Sequence, residues 1–302
     1  MIDLRQSHFY ARYMASRGWI VAKIPPCSLL RSNSRIRSSI FVYIKKLPLI
    51  PFSVMKIQRS FLPDFCAVDR MAKEYKSILT IIEPGIITDR LSSEVVAIFK
   101  SHGYRQDRWP LLPTMSLQVN LRLNSTTLFR SFKKDARYSI RKAKKLCQVR
   151  LLDLGSTQKI SQFHSSWKQY GKGFIPTLIE LRQLLEAFGN KAFVLGVYGK
   201  NESLLAGTVI LNSNSCAWYY YAFTSPVGRG LSAGYLAVWE ALLEAKRRGC
   251  TLFDLEGIFD RSYRFLRRWQ GFSRFKKKFG GKEVLYPGSF VRYRVPWLGL
   301  LS

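Results

Sequence analysis

Three short apolar segments, residues 193–198, 204–211 and 216–222, follow one another with polar turn residues between them, Gly199-Lys200-Asn201 and Asn212-Ser213-Asn214. Strand-length runs bounded by Gly, Asn and Ser are strands, and turns this short connect them only as antiparallel neighbours. Helical patterns at 156–170 and 178–188 precede this meander. A Gly-containing loop, a helix over 232–248 closed by Gly249 and a strand over 252–255 follow it. The order of elements predicts an α/β plan of the layered α+β kind, with mixed sheets flanked by helices.

The first part of the chain reads as a shorter version of the same plan. A helix over 9–18 stops at Gly18 and a strand leaves it over 19–24. Strand-forming residues recur at 39–47 and 78–82, helices are expected at 69–77 and 91–102, and Pro110 and Pro113 bracket a break. Two domains, 1–113 and 114–302, are therefore expected, with strand 115–121 opening the second. Residues 284–295 close the chain as further strand, bent at Pro287-Gly288.

Charge is the next constraint. Residues 261–282 hold nine basic side chains and no carboxylate, and include Phe275-Lys276-Lys277-Lys278-Phe279-Gly280-Gly281. A second concentration lies on a helix expected over 127–145, where Phe132, Ala136, Ile140 and Ala143 share one face. The rest of that helix carries Lys133, Lys134, Arg137, Arg141, Lys142, Lys144 and Lys145 against Asp135 alone. Repulsion at i,i+4 spacing goes uncompensated, so a merely solvated face is disfavoured. Phosphate-backbone contact is the better reading. The whole chain has 49 Lys and Arg against 19 Asp and Glu, a net charge of +30, yet it is 47% hydrophobic. That is a folded, polyanion-seeking protein and not a disordered basic tail.

Other classes lose support. The five cysteines have no metal-ligand or disulfide-framework spacing, which fits a reducing cytoplasm. The first ten residues lack a signal-peptide core, and the longest apolar run, 216–223, is far short of a membrane span. The tail 296–301 (Pro-Trp-Leu-Gly-Leu-Leu) offers either packing on its own domain or contact with a bilayer surface. His8, His102 and His164 are isolated, and no Ser-His-Asp set, zinc spacing, Walker loop or dinucleotide fingerprint is present. The loop 225–234 has glycines and Arg229 ahead of a helix, but not the spacing with which acyl-CoA-dependent acetyltransferases grip a pyrophosphate. In Trp218-Tyr219-Tyr220-Tyr221, alternation sends Tyr219 and Tyr221 to one face. Asp254, before Leu255-Glu256-Gly257, reads either as part of a turn or as a carboxylate at the mouth of the sheet.

With these residues in view, the chain resembles the Fem family, the tRNA-dependent aminoacyltransferases that build peptidoglycan cross-bridges. The resemblance runs through Gln6-Ser7 with Gly18-Trp19, Ile82-Glu83-Pro84, Arg137-Tyr138-Ser139-Ile140-Arg141-Lys142-Ala143, the segment 218–222, Asp254-Leu255-Glu256-Gly257-Ile258, and Phe275-Lys276 with Phe279-Gly280-Gly281. It implies two tandem domains of the GNAT-like (acyl-CoA N-acyltransferase) fold and no resident cofactor. Aminoacyl-tRNA would be the donor, and the stem-peptide amine of a lipid-linked or UDP-linked peptidoglycan precursor the acceptor. On this resemblance Lys276 and Phe275 sit at the reaction centre. Glu83 is the candidate proton acceptor, although substrate or water can serve instead. Lys23, Tyr221 and Asp254 face the acceptor. The tRNA would lie on Lys133, Lys134, Arg137, Arg141, Lys142, Lys145, Arg267, Arg268, Lys277 and Lys278. A cytoplasmic protein with peripheral contact at an anionic inner membrane surface is expected. The alternative is a GNAT N-acyltransferase of envelope polysaccharide synthesis that uses acetyl-CoA. Segment 174–181 lacks the Arg and Tyr common in members with a known acceptor site, Glu256 stands where glycine is usual, and the helical-hairpin arm of some members is missing, so acceptor identity stays open.

Overall fold

A computed structural model describes residues 2–27, 39–87, 93–171, 173–263, 267 and 269–294. In chain order the elements are α1 (His8–Ser16), β1 (Ile20–Ile24), β2 (Ile40–Lys46), β3 (Ser53–Ser60), α2 (Phe65–Glu74), β4 (Ser77–Pro84), α3 (Ser93–Ser101), β5 (Arg105–Gln106), β6 (Met115–Asn120), α4 (Ser125–Arg130), α5 (Lys134–Leu146), β7 (Gln148–Leu151), α6 (Thr157–Tyr170), α7 (Leu178–Phe188), β8 (Ala192–Tyr198), β9 (Leu204–Ser213), β10 (Cys216–Thr224), α8 (Pro226–Gly230), α9 (Ala233–Arg247), β11 (Leu252–Gly257), α10 (Gln270–Lys276), β12 (Lys282–Leu285) and β13 (Phe290–Tyr293).

The chain forms two compact units, Met1–Met115 with Val284–Ser302, and Ser116–Glu283. The linear sequence groups residues 114–302 together. The structure instead returns β13 to the first unit, where it pairs antiparallel with β4 and β5. The expected strand 284–295 is thus two strands in two different sheets.

In the first unit the strand order is β1-β2-β3-β4-β13-β5. β1, β2 and β3 are antiparallel neighbours, and β3 lies parallel to β4 across the α2 crossover. Ile44, Met55, Ile57, Val68, Ile82, Phe99 and Phe290 make its core. Ser7 caps α1 through the Tyr10 amide, and Asp64 caps α2 through the amides of Cys66 and Ala67. The capping fixes α2 earlier than the 69–77 expected. β3 has no clear signature in the sequence, because its buried positions include polar Ser53, Gln58, Arg59 and Ser60 and follow no simple period.

The second unit orders its strands β12-β6-β11-β10-β9-β8-β7. β7 to β10 are antiparallel in sequence, which includes the expected meander, and β10 then runs parallel to β11 across α8 and α9. The helix expected over 127–145 is two. The chain breaks after α4, Phe132 turns into the core against Trp239 and Phe279, and α5 restarts at Lys134. Ala136, Ile140 and Ala143 form the buried stripe of α5, as the spacing requires. The Lys133 amide is free to leave the helix ladder because it donates to the Lys278 carbonyl at 2.9 Å.

Candidate active site

β10 and β11 are paired only over Cys216–Trp218 with Leu252–Asp254, after which β10 continues to Thr224 and β11 to Gly257. Parallel strands that stop pairing leave a crevice at their carboxyl ends, where open α/β sheets bind ligands. Lys276 lies beside this end of β11.

Lys276 ends α10 and is 2% exposed. Its Nζ donates to the Gly257 carbonyl at 2.9 Å and lies 3.9 Å from the centre of the Phe272 ring, one helical turn back. Burial pushes this lysine down to about 7, opposed by the charges of Glu256 and Asp254. An ammonium carries three donors, so the Gly257 carbonyl leaves further N–H capacity for an anion.

The Gly257 carbonyl is aimed by a β-bulge. β11 and β6 fall out of register between Asp254 and Gly257, and Glu256 adopts a left-handed backbone with φ 59°. Asp254, 3% exposed, ties the bulge together. Its Oδ1 accepts from the Glu256 amide at 2.7 Å and from the Ser116 hydroxyl, and its Oδ2 accepts from Gln118 at 3.0 Å. Burial and the neighbouring Glu256 charge push the Asp254 carboxyl up to about 6. Both oxygens are engaged in this network, and Asp254 is buried at the bulge that carries Gly257.

The segment after Lys276 docks on the same scaffold. Phe279 is fully buried against Phe132, Tyr235 and Phe275. Gly281, at φ 94°, passes so close to β6 that a Cβ would sit 2.6 Å from the Gln118 carbonyl. Only glycine fits that approach, which explains the Gly-Gly signature physically. Phe275 is half-buried and meets Tyr235 edge-on at 4.9 Å.

The basic clusters meet here too. Lys278 bonds Asp135 of α5 at 2.6 Å and the Tyr235 hydroxyl at 3.1 Å, which raises the lysine and lowers Asp135. Lys277 pairs with Glu283 at 2.7 Å. Lys133, Lys134, Arg141, Lys142, Lys145 and Arg267 are exposed, and Arg137 is half-exposed with its guanidinium on the Arg130 carbonyl. Lys142 donates to the Gly230 carbonyl and Arg141 lies over Phe129. Arg268 and the tail 296–301 lie outside the described residues.

One sequence expectation changes at β10. A bulge sits between Tyr219 and Tyr221, so alternation fails. Tyr219 is buried near Phe253, while Tyr221 packs 4.5 Å from Trp167 and 4.6 Å from Tyr220. In the loop 225–234, Ser225 caps α8 through the Gly228 amide, and Arg229 donates to the Thr224 carbonyl, so those groups are engaged within the loop.

Lys23 and Glu83 belong to the first unit. Lys23 is exposed, its Nζ 5.0 Å from the Phe41 ring centre. Glu83 is 1% exposed; Oε1 accepts from the Leu112 amide at 2.7 Å and Oε2 from Gln58 at 3.2 Å. Burial pushes its carboxyl up, opposed first by the Arg59 charge. Arg59, nearly buried with φ 52°, stacks 3.5 Å from the Tyr286 ring centre and donates to the Pro113 carbonyl. Sequence patterns do not reveal Arg59 and Gln58, since β3 itself carries no clear signature. Nor do they reveal Ser116 and Gln118, whose role follows only from the pairing of β6 with β11. Among the described residues no group of His, Cys, Asp and Glu is placed to hold a metal, and no helix is long and apolar enough to cross a membrane.

Residues 182–298, which include β11 and Lys276, match the FemAB family. The crystal structure of FemX is similar at a TM-score of 0.80, with 16% identity over 99% of this chain and 94% of that one. L-PGS from Bacillus licheniformis is similar at 0.54, with 12% identity over 86% and 83% of the two chains. A tandem GNAT protein from the clavulanic acid biosynthesis pathway is similar at 0.55, with 10% identity over 94% and 93%. No curated protein matches the chain by sequence. The family match covers the part of the chain that carries Lys276, and the structural likenesses show a fold shared with FemX and with a tandem GNAT protein.

Proposed function

We propose that this chain transfers an amino acid from aminoacyl-tRNA to the stem-peptide amine of a peptidoglycan precursor. The observation that carries the reading is Lys276, a buried ammonium held on the Gly257 carbonyl at the open end of the β10–β11 pair. It lies inside the stretch that matches the FemAB family, and the exposed cations of α5 flank the segment that carries it.

The reaction is attack by an amine on an ester. The amine nitrogen bonds the carbonyl carbon, the oxygen becomes an oxyanion, and the bond to the tRNA 3′ oxygen then breaks. The amine gives up a proton and the leaving oxygen takes one. Lys276 stabilises the oxyanion, a contribution of about 3 kcal/mol for one preorganised donor. Holding both substrates in reacting geometry supplies up to roughly 7–11 kcal/mol. The engaged oxygens of Glu83 favour a holding role for that residue, with substrate or water taking the amine proton. The phosphates of the tRNA arm are held by Lys133, Lys134, Arg137, Arg141, Lys142, Lys145 and Arg267, with Arg268, Lys277 and Lys278 from the same basic run.

The test is direct. The protein is mixed with labelled aminoacyl-tRNAs and with separate lipid-linked and UDP-linked precursors, and label is followed into peptide, with acetyl-CoA as a rival donor. Label from aminoacyl-tRNA in the stem peptide supports the reading. Acetylation without aminoacylation replaces it with the CoA-dependent one.

A further inference from the structure

At one end of the first unit's sheet the hairpin joining β2 to β3 presents an apolar tip to solvent. Leu49 is fully exposed, and Ile50 and Phe52 are 48% and 40% exposed. Leu49 also holds a left-handed backbone, φ 65°, where glycine or asparagine is the low-energy choice. The turn thus combines a strained backbone with three large side chains in water, and neither helps the isolated unit. Pro48 and Pro51 flank Leu49 and Ile50 and carry no amide hydrogen. The Leu47 amide is satisfied by the Phe52 carbonyl at 2.9 Å. Few backbone donors are left at the tip to oppose entry into an apolar medium.

The collar around this tip is basic and aromatic. Lys46 pairs with Ser53 at the base of the hairpin, and the Ser53 amide donates to the Lys76 carbonyl, which brings Lys76 to the same end. Lys45 donates to the Arg17 and Gly18 carbonyls. Half-buried Trp19 lies beside them with the Lys56 ammonium 4.3 Å from its ring centre. Lys73 and Glu74 end α2 next to Lys76. The collar therefore sets Arg17, Lys45, Lys46, Lys73 and Lys76 against Glu74. An apolar tip ringed by lysine and tryptophan matches the layers of an anionic bilayer, acyl chains below and headgroups above.

We propose that the hairpin tip Leu49, Ile50 and Phe52, with its collar of Lys46, Lys76 and Trp19, is a membrane-contact wedge that seats the first unit on an anionic lipid surface. The charge complementarity selects lipid over a second copy of this chain, whose equally basic collar would repel. The wedge would bring the protein to lipid-linked substrates, but its test needs no transfer assay and stands apart from the proposed reaction.

The experiment is sedimentation of the full chain with phosphatidylglycerol-containing vesicles and with phosphatidylcholine vesicles. The wild type binds the anionic vesicles more tightly. The triple variant Leu49→Asn, Ile50→Ser, Phe52→Ser keeps the full charge and binds them at least tenfold more weakly. Lys46→Glu and Lys76→Glu weaken binding roughly fivefold or more each. Leu49→Gly relaxes the backbone, so it melts higher than wild type while binding more weakly. Leu49→Asp serves if the triple variant does not fold. Unchanged binding of these tip variants, no vesicle binding by wild type, or a wild-type dimer that the tip variants dissolve would each overturn the proposal.

Discussion

Lys276 donates its ammonium to the carbonyl of Gly257 at 2.9 Å, and that carbonyl is aimed by a bulge whose far side is held by Asp254. Ser116 and Gln118 of β6 fix Asp254, Asp254 fixes the Glu256 amide, and the bulge then presents Gly257 to the lysine. On the proposed function Asp254 would act through Lys276, as a positioning residue. Asp254→Asn keeps the size of the side chain but removes a charge that favours the Lys276 proton. Transfer falls about ten- to a hundredfold with KM little changed, and the alkaline limb of the rate profile moves to lower pH. An unmoved limb would return Asp254 to a purely structural role.

Glu256 occupies a backbone conformation that suits glycine, at φ 59°. Glu256→Gly relieves it and raises folding stability by about 1 kcal/mol. The same change removes the carboxylate that most opposes deprotonation of Lys276. Denaturant midpoints therefore rise while the Lys276 titration, followed by its side-chain carbon shift, moves down. The residue trades stability for a better-protonated lysine.

Glu83 holds chain, with Leu112 on one oxygen and Gln58 on the other. Glu83→Gln keeps an acceptor for the Leu112 amide and retains turnover within a few-fold. Glu83→Ala strands that partly buried amide and the Gln58 side chain and costs about 1–3 kcal/mol of stability. Loss of turnover in Glu83→Gln with the fold intact would restore it as the proton acceptor.

The exposed cations of α5 predict a salt signature. Replacing Lys134, Arg141 or Lys145 with Ala weakens tRNA binding and lowers the log–log salt slope by about 1 for each phosphate no longer neutralised. Lys278→Ala has a smaller effect on the slope, because Asp135 already neutralises it. Filter binding over a salt series separates the two cases.

Much of this is legible in the chain. The turns between β8, β9 and β10 announce the meander, Gly249 announces the end of α9, and Phe275-Lys276 with Gly280-Gly281 marks the candidate site. The remainder depends on tertiary contacts. Phe132 fits the helical spacing of Ala136 and Ile140, yet it breaks the helix because Trp239 and Phe279 offer it a pocket. Tyr220 interrupts alternation because β9 supplies one residue where β10 supplies two. Asp254 reads as a mouth carboxylate until Ser116 and Gln118, more than a hundred residues away, are seen to occupy it. The return of β13 to the first unit has no local signal at all, since its pattern suits either sheet.

The central claim is that Lys276 serves as a cation maintained at the expense of stability. Its folded-state affinity for the proton, near pH 7, lies below that of the unfolded chain, near 10.5. Unfolded protein therefore binds the extra proton between those values, and wild-type stability rises with pH across that window. Lys276→Met lacks the buried ammonium. It should be as stable as wild type or more so at pH 7, with the advantage shrinking toward pH 10.5. The decisive measurement is aminoacyl transfer by Lys276→Met alongside its denaturant melt at pH 7. The account predicts a loss of at least about a hundredfold in turnover with an undiminished melt; near-normal turnover of a folded Lys276→Met protein would contradict it.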